Sequence, residues 1–371
     1  MRVLSLCLLL LIAAACPMGF VLADDASSLP NQATKTATVE ERPGLALSSD
    51  CVGTPSCVQE PACCDSVCPA AQCCERVWTI DYRVKTLFDS NTTYQFGQPD
   101  NSYAPLSKLS WPLDSTWDGL QIGVEKPNWR AHFEWLAPMV HDTYRDQADY
   151  DWSGPNRDPA SLSSSPERWT DGQMVELEGS FKLTDHLLGT PLEVWPVIGF
   201  RFQRFDLMAH DGDQIINDGT LNPLPPPVGY HWVGDMGSFN QQYYMGYIGA
   251  QLRRDCNVGN CRRVTFVLQA DWADTWGYNI DHHISGYEDS GVHRYTMDTT
   301  QGGAFHLALT AETPISCRFF LGLEVEHLEI RTWGSHHYVE TGAQQVDQTW
   351  TNGVSATSDQ TSLTAYLRAR Y

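Results

Sequence analysis

Hydrophobic and polar residues alternate with a period of two over long parts of this chain. In VELEGSFKL, Val175, Leu177, Phe181 and Leu183 share one face, and Glu176, Glu178, Ser180 and Lys182 share the other. In RFFLGLEVEHLEI, Phe319, Leu321, Leu323 and Val325 alternate with Phe320, Gly322, Glu324 and Glu326. In the last stretch Leu363, Ala365, Leu367, Ala369 and Tyr371 alternate with Thr364, Tyr366, Arg368 and Arg370. Such alternation marks an extended strand lying between two different environments, because successive side chains leave opposite faces.

On this pattern strands are expected over 76–90, 107–125, 129–142, 172–184, 193–208, 240–253, 262–280, 292–310, 317–334 and 358–371. A soluble sandwich also buries one face of each strand, so alternation alone leaves both architectures open. Three features favour a membrane. The runs are far longer than the usual ~5–6 residues and suit a tilted crossing of a bilayer. The faces opposite the apolar ones carry Glu, Arg, Asp and Gln, which a wet lumen accepts and a packed core does not. Thirteen Trp and fifteen Tyr are enough for two interfacial girdles. The expectation is an all-β, ten-stranded antiparallel transmembrane β-barrel, an even number as a closed bacterial barrel requires. The links after the first, third, fifth, seventh and ninth expected strands are mostly long. They fall on one rim, which in such barrels faces the outside of the cell, so the loops there are expected to be extracellular.

The N-terminal fifth reads differently. MRVLSLCLLLLIAAACPMGFVLA, residues 1–23, has one Arg, an apolar core and small residues ahead of Asp24 and Asp25, as a secretory signal peptide does. Residue 13, three before Cys16, is Ala and not the Leu expected of a lipoprotein site. Residues 24–50 are a flexible segment without periodicity. Residues 51–75 are Cys-rich: seven of the twelve Cys fall there, as CVGTPSC and CCDSVCPAAQCC. In an exported chain that composition points to a disulfide knot on the periplasmic side. Seven is odd, so one thiol is free or pairs elsewhere, with Cys317 a conceivable partner. Cys256 and Cys261 flank a tight turn that a disulfide would staple. The barrel domain then spans 76–371.

A formal charge of −21 argues against a nucleic-acid partner. Candidate chemistry sits in two short runs, DYDW at 149–152 and DHH at 281–283. They lie just past the third and seventh expected strands, on the same outer rim. Residues two apart on extended backbone face one way, so Asp149 pairs with Asp151 and Asp281 with His283. Asn279 continues the second row toward the lumen. An Asp beside a His supports an imidazolium and lets His283 serve as a general base near neutral pH. With no Ser or Cys at matching spacing, the nucleophile would be water. Asp149 and Asp151 would orient it and return a proton to the leaving amine, titrating as a coupled pair. The same residues also fit solvated loop charge, and the adjacent histidines 282–283 and 336–337 fit adventitious metal binding.

At these residues the chain resembles the omptin family of outer-membrane aspartyl endopeptidases. DYDW matches its D-x-D-W and DHH its D-x-H. LSKLSW at 106–111, GFRFQRF at 199–205, YMGYIGAQLR at 244–253 and the final Tyr371 follow the family's strands in order. The resemblance covers 76–371. It implies a protease cleft at the outer end of the barrel, with Asp149, Asp151, Asp281 and His283 catalytic, Asn279 binding substrate and no cofactor. It also implies a Gram-negative-type outer membrane, a peptide or protein substrate, and outer-membrane lipid as a partner. Asn279 stands where the family has an acid, and Asn91 lies near the other such position, so a preference for basic substrates is not expected. Of the family's lipopolysaccharide motif, mapped onto Phe200, Phe202, Arg204 and Gln242, only Arg204 keeps the charge, so dependence on that lipid is expected to be weak. The competing expectation is a catalytically inactive barrel acting as a pore or a surface-binding scaffold. Residues 51–75 would meet a periplasmic partner or the cell wall.

Overall fold

The computed structural model describes residues 76–97, 106–139, 142–143, 145–152, 160–216, 230–258, 262–284, 292–342 and 345–371. The signal peptide, the segment 24–50 and the Cys-rich run therefore lie outside the described residues, as does Cys261. Cys256 and Cys317 are disulfide-bonded. No described helix is long and apolar enough to cross a membrane.

The described chain is a succession of strands: β1 Val77–Phe96, β2 Ser107–Pro112, β3 Ser115–Lys126, β4 Trp129–Pro138, β5 Gln147–Asp151, β6 Ser161–Ser165, β7 Glu167–Phe181, β8 Glu193–His210, β9 Asp213–Ile216, β10 Tyr230–His231, β11 Asp235–Val258, β12 Arg262–His283, β13 Arg294–Pro314, β14 Phe319–Glu340 and β15 Val346–Arg370. All fifteen belong to one antiparallel sheet of order β10-β9-β6-β5-β2-β1-β15-β14-β13-β12-β11-β8-β7-β4-β3, with a further pairing of β1 to β3. This corrects the expected ten-stranded barrel. Ten strands pair in a ring that the β1–β3 ladder completes, while β2, β5, β6, β9 and β10 form an extension running off β1. The architecture is thus a ring with a side sheet, not a simple closed barrel of ten.

The extension arises where one expected strand breaks in two. The run 107–125 is interrupted at Leu113 and Asp114, giving β2 and β3. Below the break β3 pairs with the lower half of β1, from Val77↔Glu125 to Leu87↔Ser115. Above it β2 takes over the same edge, from Asn91↔Pro112 to Phe96↔Ser107. Asp114 fastens the junction: its Oδ1 accepts from the Ser90 amide at 2.9 Å and its Oδ2 from Arg145 Nε at 2.6 Å.

At the same height β1 changes phase. The ladder between β1 and β15 shifts register between Phe88 and Asn91, with Asp89 at φ 49°. One inserted residue turns every later side chain to the other face. Below the shift the odd residues Thr79, Asp81, Arg83 and Leu87 are buried; above it the even residues Ser90, Thr92 and Tyr94 are. Tyr94 therefore enters the interior and Asn91 leaves it.

The outer wall of the ring is apolar. Trp78, Ile80, Leu120, Ile122, Phe133, Trp135, Leu177, Ile198, Ile248, Trp272, Leu323 and Leu367 are all exposed. A surface this apolar is unsuited to water and matches a lipid contact. Its upper edge is marked by Tyr244, Trp276 and Trp333, which stand level across the ladders β11–β12–β13–β14. Asn279, Asp281, His283 and the β5 extension lie above that edge.

Inside, the lower ring is held by charge. Arg201 bridges Asp271 at 2.6 Å and Glu176 at 2.9 Å, with its guanidinium 3.9 Å above the Tyr247 ring. Arg83 pairs with Glu134 at 2.7 Å and with Glu324, Lys85 with Glu326, and Arg368 with Asp81 at 2.8 Å and Glu312 at 2.7 Å. The inward charges Glu324, Glu326, Arg368 and Arg370 are thus all paired, each to a residue two strands away in the ring. Above this layer an apolar core fills the side lined by β1, β2, β3, β7, β8 and β11. Trp111 stacks on Phe239 with ring centroids 5.2 Å apart, and Trp169 meets Trp117 and Phe205 edge-on at 5.1 and 5.3 Å. Arg201→Ala removes the guanidinium shared by Asp271 and Glu176, leaving Asp271 to His306 and Gln269 and Glu176 to Tyr247, and we expect a loss of about 3 kcal/mol in unfolding free energy. Denaturant titration in detergent micelles checks it, and a change below 1 kcal/mol would refute a structural role for this pair.

Candidate functional site

Asp281 and His283 are the last inward residues of β12. The strand runs to His283, three residues beyond the expected end, so both are placed by ladder bonds to β11 and β13 rather than by a loop. Asp281 is buried, and its Oδ2 lies 3.1 Å from His283 Nε2, aligned as an ion pair rather than as a straight hydrogen bond. The ring nitrogen turned away from Asp281 is Nδ1.

Asp149 and Asp151 also lie on a strand, not in a loop. β5 is held between β2 and β6, with Asp149 opposite Leu109 and Ser163, and Asp151 opposite Ser107 and Ser161. Serines of the two flanking strands anchor them: Ser107 Oγ donates to Asp149 Oδ1 at 3.1 Å and Ser161 Oγ to Asp151 Oδ2 at 3.0 Å. Without the extension sheet these carboxylates would have no fixed position.

The structure brings the two runs together. Asp149 is pushed up to about 7, by burial first and then by the charges of Asp151 and Asp281, against the opposing pull of His283 and the Ser107 hydroxyl. Burial works against the His283 imidazolium, but the charge and hydrogen bond of Asp281 and the charge of Asp149 outweigh it, raising this group to about 9. Asp149 and His283 act on each other, so their protons are shared between the two rather than belonging to either alone. Chemically, this is an imidazole held between carboxylates, able to exchange a proton near neutral pH with a group placed among them.

Asn279 lies two residues below Asp281 and is fully buried, while Asn91 faces away. Asn91 accepts from Ser110 Oγ at 2.9 Å and donates to Thr93 Oγ1 at 3.0 Å, so the phase shift in β1 removes it from the site. The adjacent histidines cannot chelate one ion with both rings. His283 faces inward and His282 outward, its ring 6.4 Å from that of His293. Likewise His336 is buried, whereas His337 meets Asp347 at 2.8 Å on the outer side. Arg204 is outward but engaged by Asp206 and, at 3.3 Å, by Asp171.

Two groups were not singled out by the alternation. His132, Glu176 and Glu178 in the lower ring bring metal-type donor atoms within 4.8 Å of one another. Arg201 already neutralises Glu176, however, while Tyr247, Gln251 and Gln269 all donate to Glu178. A cation there would displace an existing charge pair. The second is a buried Asp298–His336 pair, Oδ1 to Nδ1 at 2.9 Å, with the Tyr94 hydroxyl 3.1 Å from the same nitrogen. His336 sits in a loop-like stretch of sequence, and Tyr94 is inward only because of the phase shift.

An apolar outer wall, a charge-filled lower lumen and a carboxylate–imidazole cluster above the aromatic edge define a class by fold alone: an antiparallel β-strand ring of the outer-membrane type. Among solved structures it resembles the outer membrane protease OmpT from Escherichia coli, at 13% identity, covering 80% of this chain and 97% of that one with a TM-score of 0.66. At that identity the likeness concerns the fold alone. The transport unit of the autotransporter AIDA-I from Escherichia coli also aligns, at 8% identity over 82% of this chain and 94% of that one, but with a TM-score of only 0.25. No protein-family model and no curated protein matches the chain.

The raised folded-state pKa of His283 gives a signed prediction. Its ion pair contributes stability that is present in full below the ordinary histidine value of 6.5 and is lost as pH rises through about 9. Asp281→Asn removes the attraction, so the His283 imidazole should then titrate at lower pH, read by NMR of ring-labelled histidine. An unmoved midpoint would contradict the pairing.

Proposed function

We propose that this chain is an outer-membrane endopeptidase that hydrolyses peptide bonds by attack of water. The observation that supports it best is the convergence of Asp149, Asp151, Asp281 and His283, from two strands 130 residues apart in sequence, onto one mutually coupled cluster. The fold likeness to an outer membrane protease agrees with it.

In this reading Asp281 holds the His283 ring through Nε2, and the opposite nitrogen takes a proton from water as the oxygen attacks the peptide carbonyl carbon. The tetrahedral intermediate collapses with loss of the amine, whose nitrogen receives a proton from His283 or from Asp149. Asp149 can hold that proton near neutral pH because burial and Asp151 raise it. Asp151 keeps Asp149 in this range and helps to orient the water. The cleft would open on the outer side of an outer membrane. Because Arg204 is occupied by two carboxylates, lipopolysaccharide is not expected to be required. A pore is the weaker reading, since Gln203 and Gln360, on opposite walls of the ring, hydrogen-bond to each other across the lumen below the site.

The base must be unprotonated, so kcat/KM is expected to rise with pH from neutrality toward about 9. His283→Ala should lower kcat by roughly 10²–10⁴-fold per folded molecule, with the unfolding midpoint also lowered because Asp281 loses its ion-pair partner. Both are measured on refolded protein with a quenched-fluorescence peptide library. Equal turnover by the two proteins would remove His283 from the mechanism.

A further inference from the structure

The lower end of the lumen holds a cavity of about 130 Å³. Arg130 on β4 and Arg253 on β11 line it, as does Ser180, which stands directly opposite Arg130 in the β4–β7 ladder. On the same inner wall Arg83, Lys85, Arg201, Arg368 and Arg370 each reach a carboxylate within 3.2 Å. Arg130 has no ion pair among the described residues, and its Nε is buried without a hydrogen-bond partner. Arg253 Nε lies 4.0 Å from Glu193, whose carboxylate is already taken by Lys182 at 3.1 Å and by the Trp195 indole at 2.9 Å.

Acids are close by but engaged elsewhere. Glu125 is the ladder partner of Arg130 on β3, yet its carboxylate turns to Arg370 at 3.5 Å and Arg368 at 3.8 Å. Glu178, two residues before Ser180, accepts from Tyr247, Gln251 and Gln269. The Arg130 guanidinium is instead held by stacking, 4.1 Å from the centroid of the fully buried Trp195 ring. Among charged neighbours Arg253 acts on it more strongly than Glu125 or Glu193 does. Two like charges thus face one cavity, and the ring supplies no close counter-charge for them. An anion between them turns that repulsion into two attractions.

The donors limit which anion fits. A guanidinium presents parallel N–H groups that match two oxygens of one oxyanion. Arg130 and Arg253 offer two such forks, and the Ser180 hydroxyl offers a third donor. A carboxylate brings two oxygens and a single charge. A phosphate brings oxygens for all three donors and close to two charges near neutral pH. Because the three side chains face the lumen and not the outer wall, the phosphate belongs to a small soluble molecule rather than to a lipid.

We propose that Arg130, Arg253 and Ser180 form a binding site for phosphate or a small phosphate ester at the lower mouth of the ring. Arg253 pairs with Val267 near the start of β12, and His283 ends that strand, so the site lies at the other end of the ring from the hydrolytic cluster and does not depend on it.

Equilibrium dialysis of the full-length protein in detergent micelles against radiolabelled inorganic phosphate, at low ionic strength, tests the site. One phosphate per chain should bind with a Kd of about 1 mM or tighter. Arg130→Gln and Arg253→Gln should each weaken binding roughly tenfold or more, the contribution of one charge-assisted fork. Arg331→Gln, on the outer wall, should leave it unchanged. Arg130→Gln also gives up the stacking on Trp195, so a measurement on the wild type stands beside the variants. Phosphate should slow modification of Arg130 and Arg253 by a dicarbonyl reagent, read by mass spectrometry, and leave Arg331 as reactive as before. No saturable binding below about 10 mM, binding that survives loss of both arginines, or protection of Arg331 equal to that of Arg130 overturns the proposal.

Discussion

An inward charge in a ring whose outer wall meets lipid is held only where an opposite charge on a nearby inward face meets it. That constraint organises the lower half of the molecule. Arg201 to Asp271, Arg83 to Glu134 and Glu324, and Arg368 to Glu312 tie together strands two apart in the ring, while Arg201 to Glu176 and Arg368 to Asp81 join directly paired strands. Desolvating these ions is costly, so each is retained only because its partner and its hydrogen-bonding neighbours are in place. The lower ring is consequently saturated with ion pairs, although Thr364 Oγ1, Arg130 Nε and Arg370 Nε stay without a hydrogen-bond partner there.

Above the aromatic edge that saturation ends. Polar side chains still face inward, but their partners run out: Asn279, Gln241, Asp298 and His336 keep open valences, and Asp281 meets His283 without a well-aligned hydrogen bond. The upper end differs from the lower lumen in holding a continuous row of open polar atoms rather than scattered ones. The apolar core of Trp111, Trp117, Trp169, Phe205 and Phe239 occupies the rest of that level. It fixes the walls so that the open polar atoms hold their positions.

Two local irregularities set the site. The break at Leu113 and Asp114 releases β2 from the ring and gives β5 an edge to join, which carries Asp149 and Asp151 into position. The phase shift at Asp89 brings Tyr94 inward against His336 and sends Asn91 outward. Both are one- or two-residue events, bulges of the kind that re-aim side chains near sites.

Much was legible in the chain itself. A period of two over long runs specifies strands, their inner and outer faces and the pairing of Asp281 with His283, because side-chain alternation is a local consequence of extended backbone. The odd-numbered inward set Gln269, Asp271, Thr275, Asn279 and Asp281 on β12 follows from it directly. Strand count, the extension sheet and the Asp298–His336 row did not follow. DYDW is too short and polar to announce a strand, and becomes one only because β2 and β6 offer it ladder bonds. A bulge inverts the faces of everything beyond it while leaving almost no mark on composition. Which polar residues stand abreast depends on register between strands far apart in sequence, and register is settled by the closing of the whole ring.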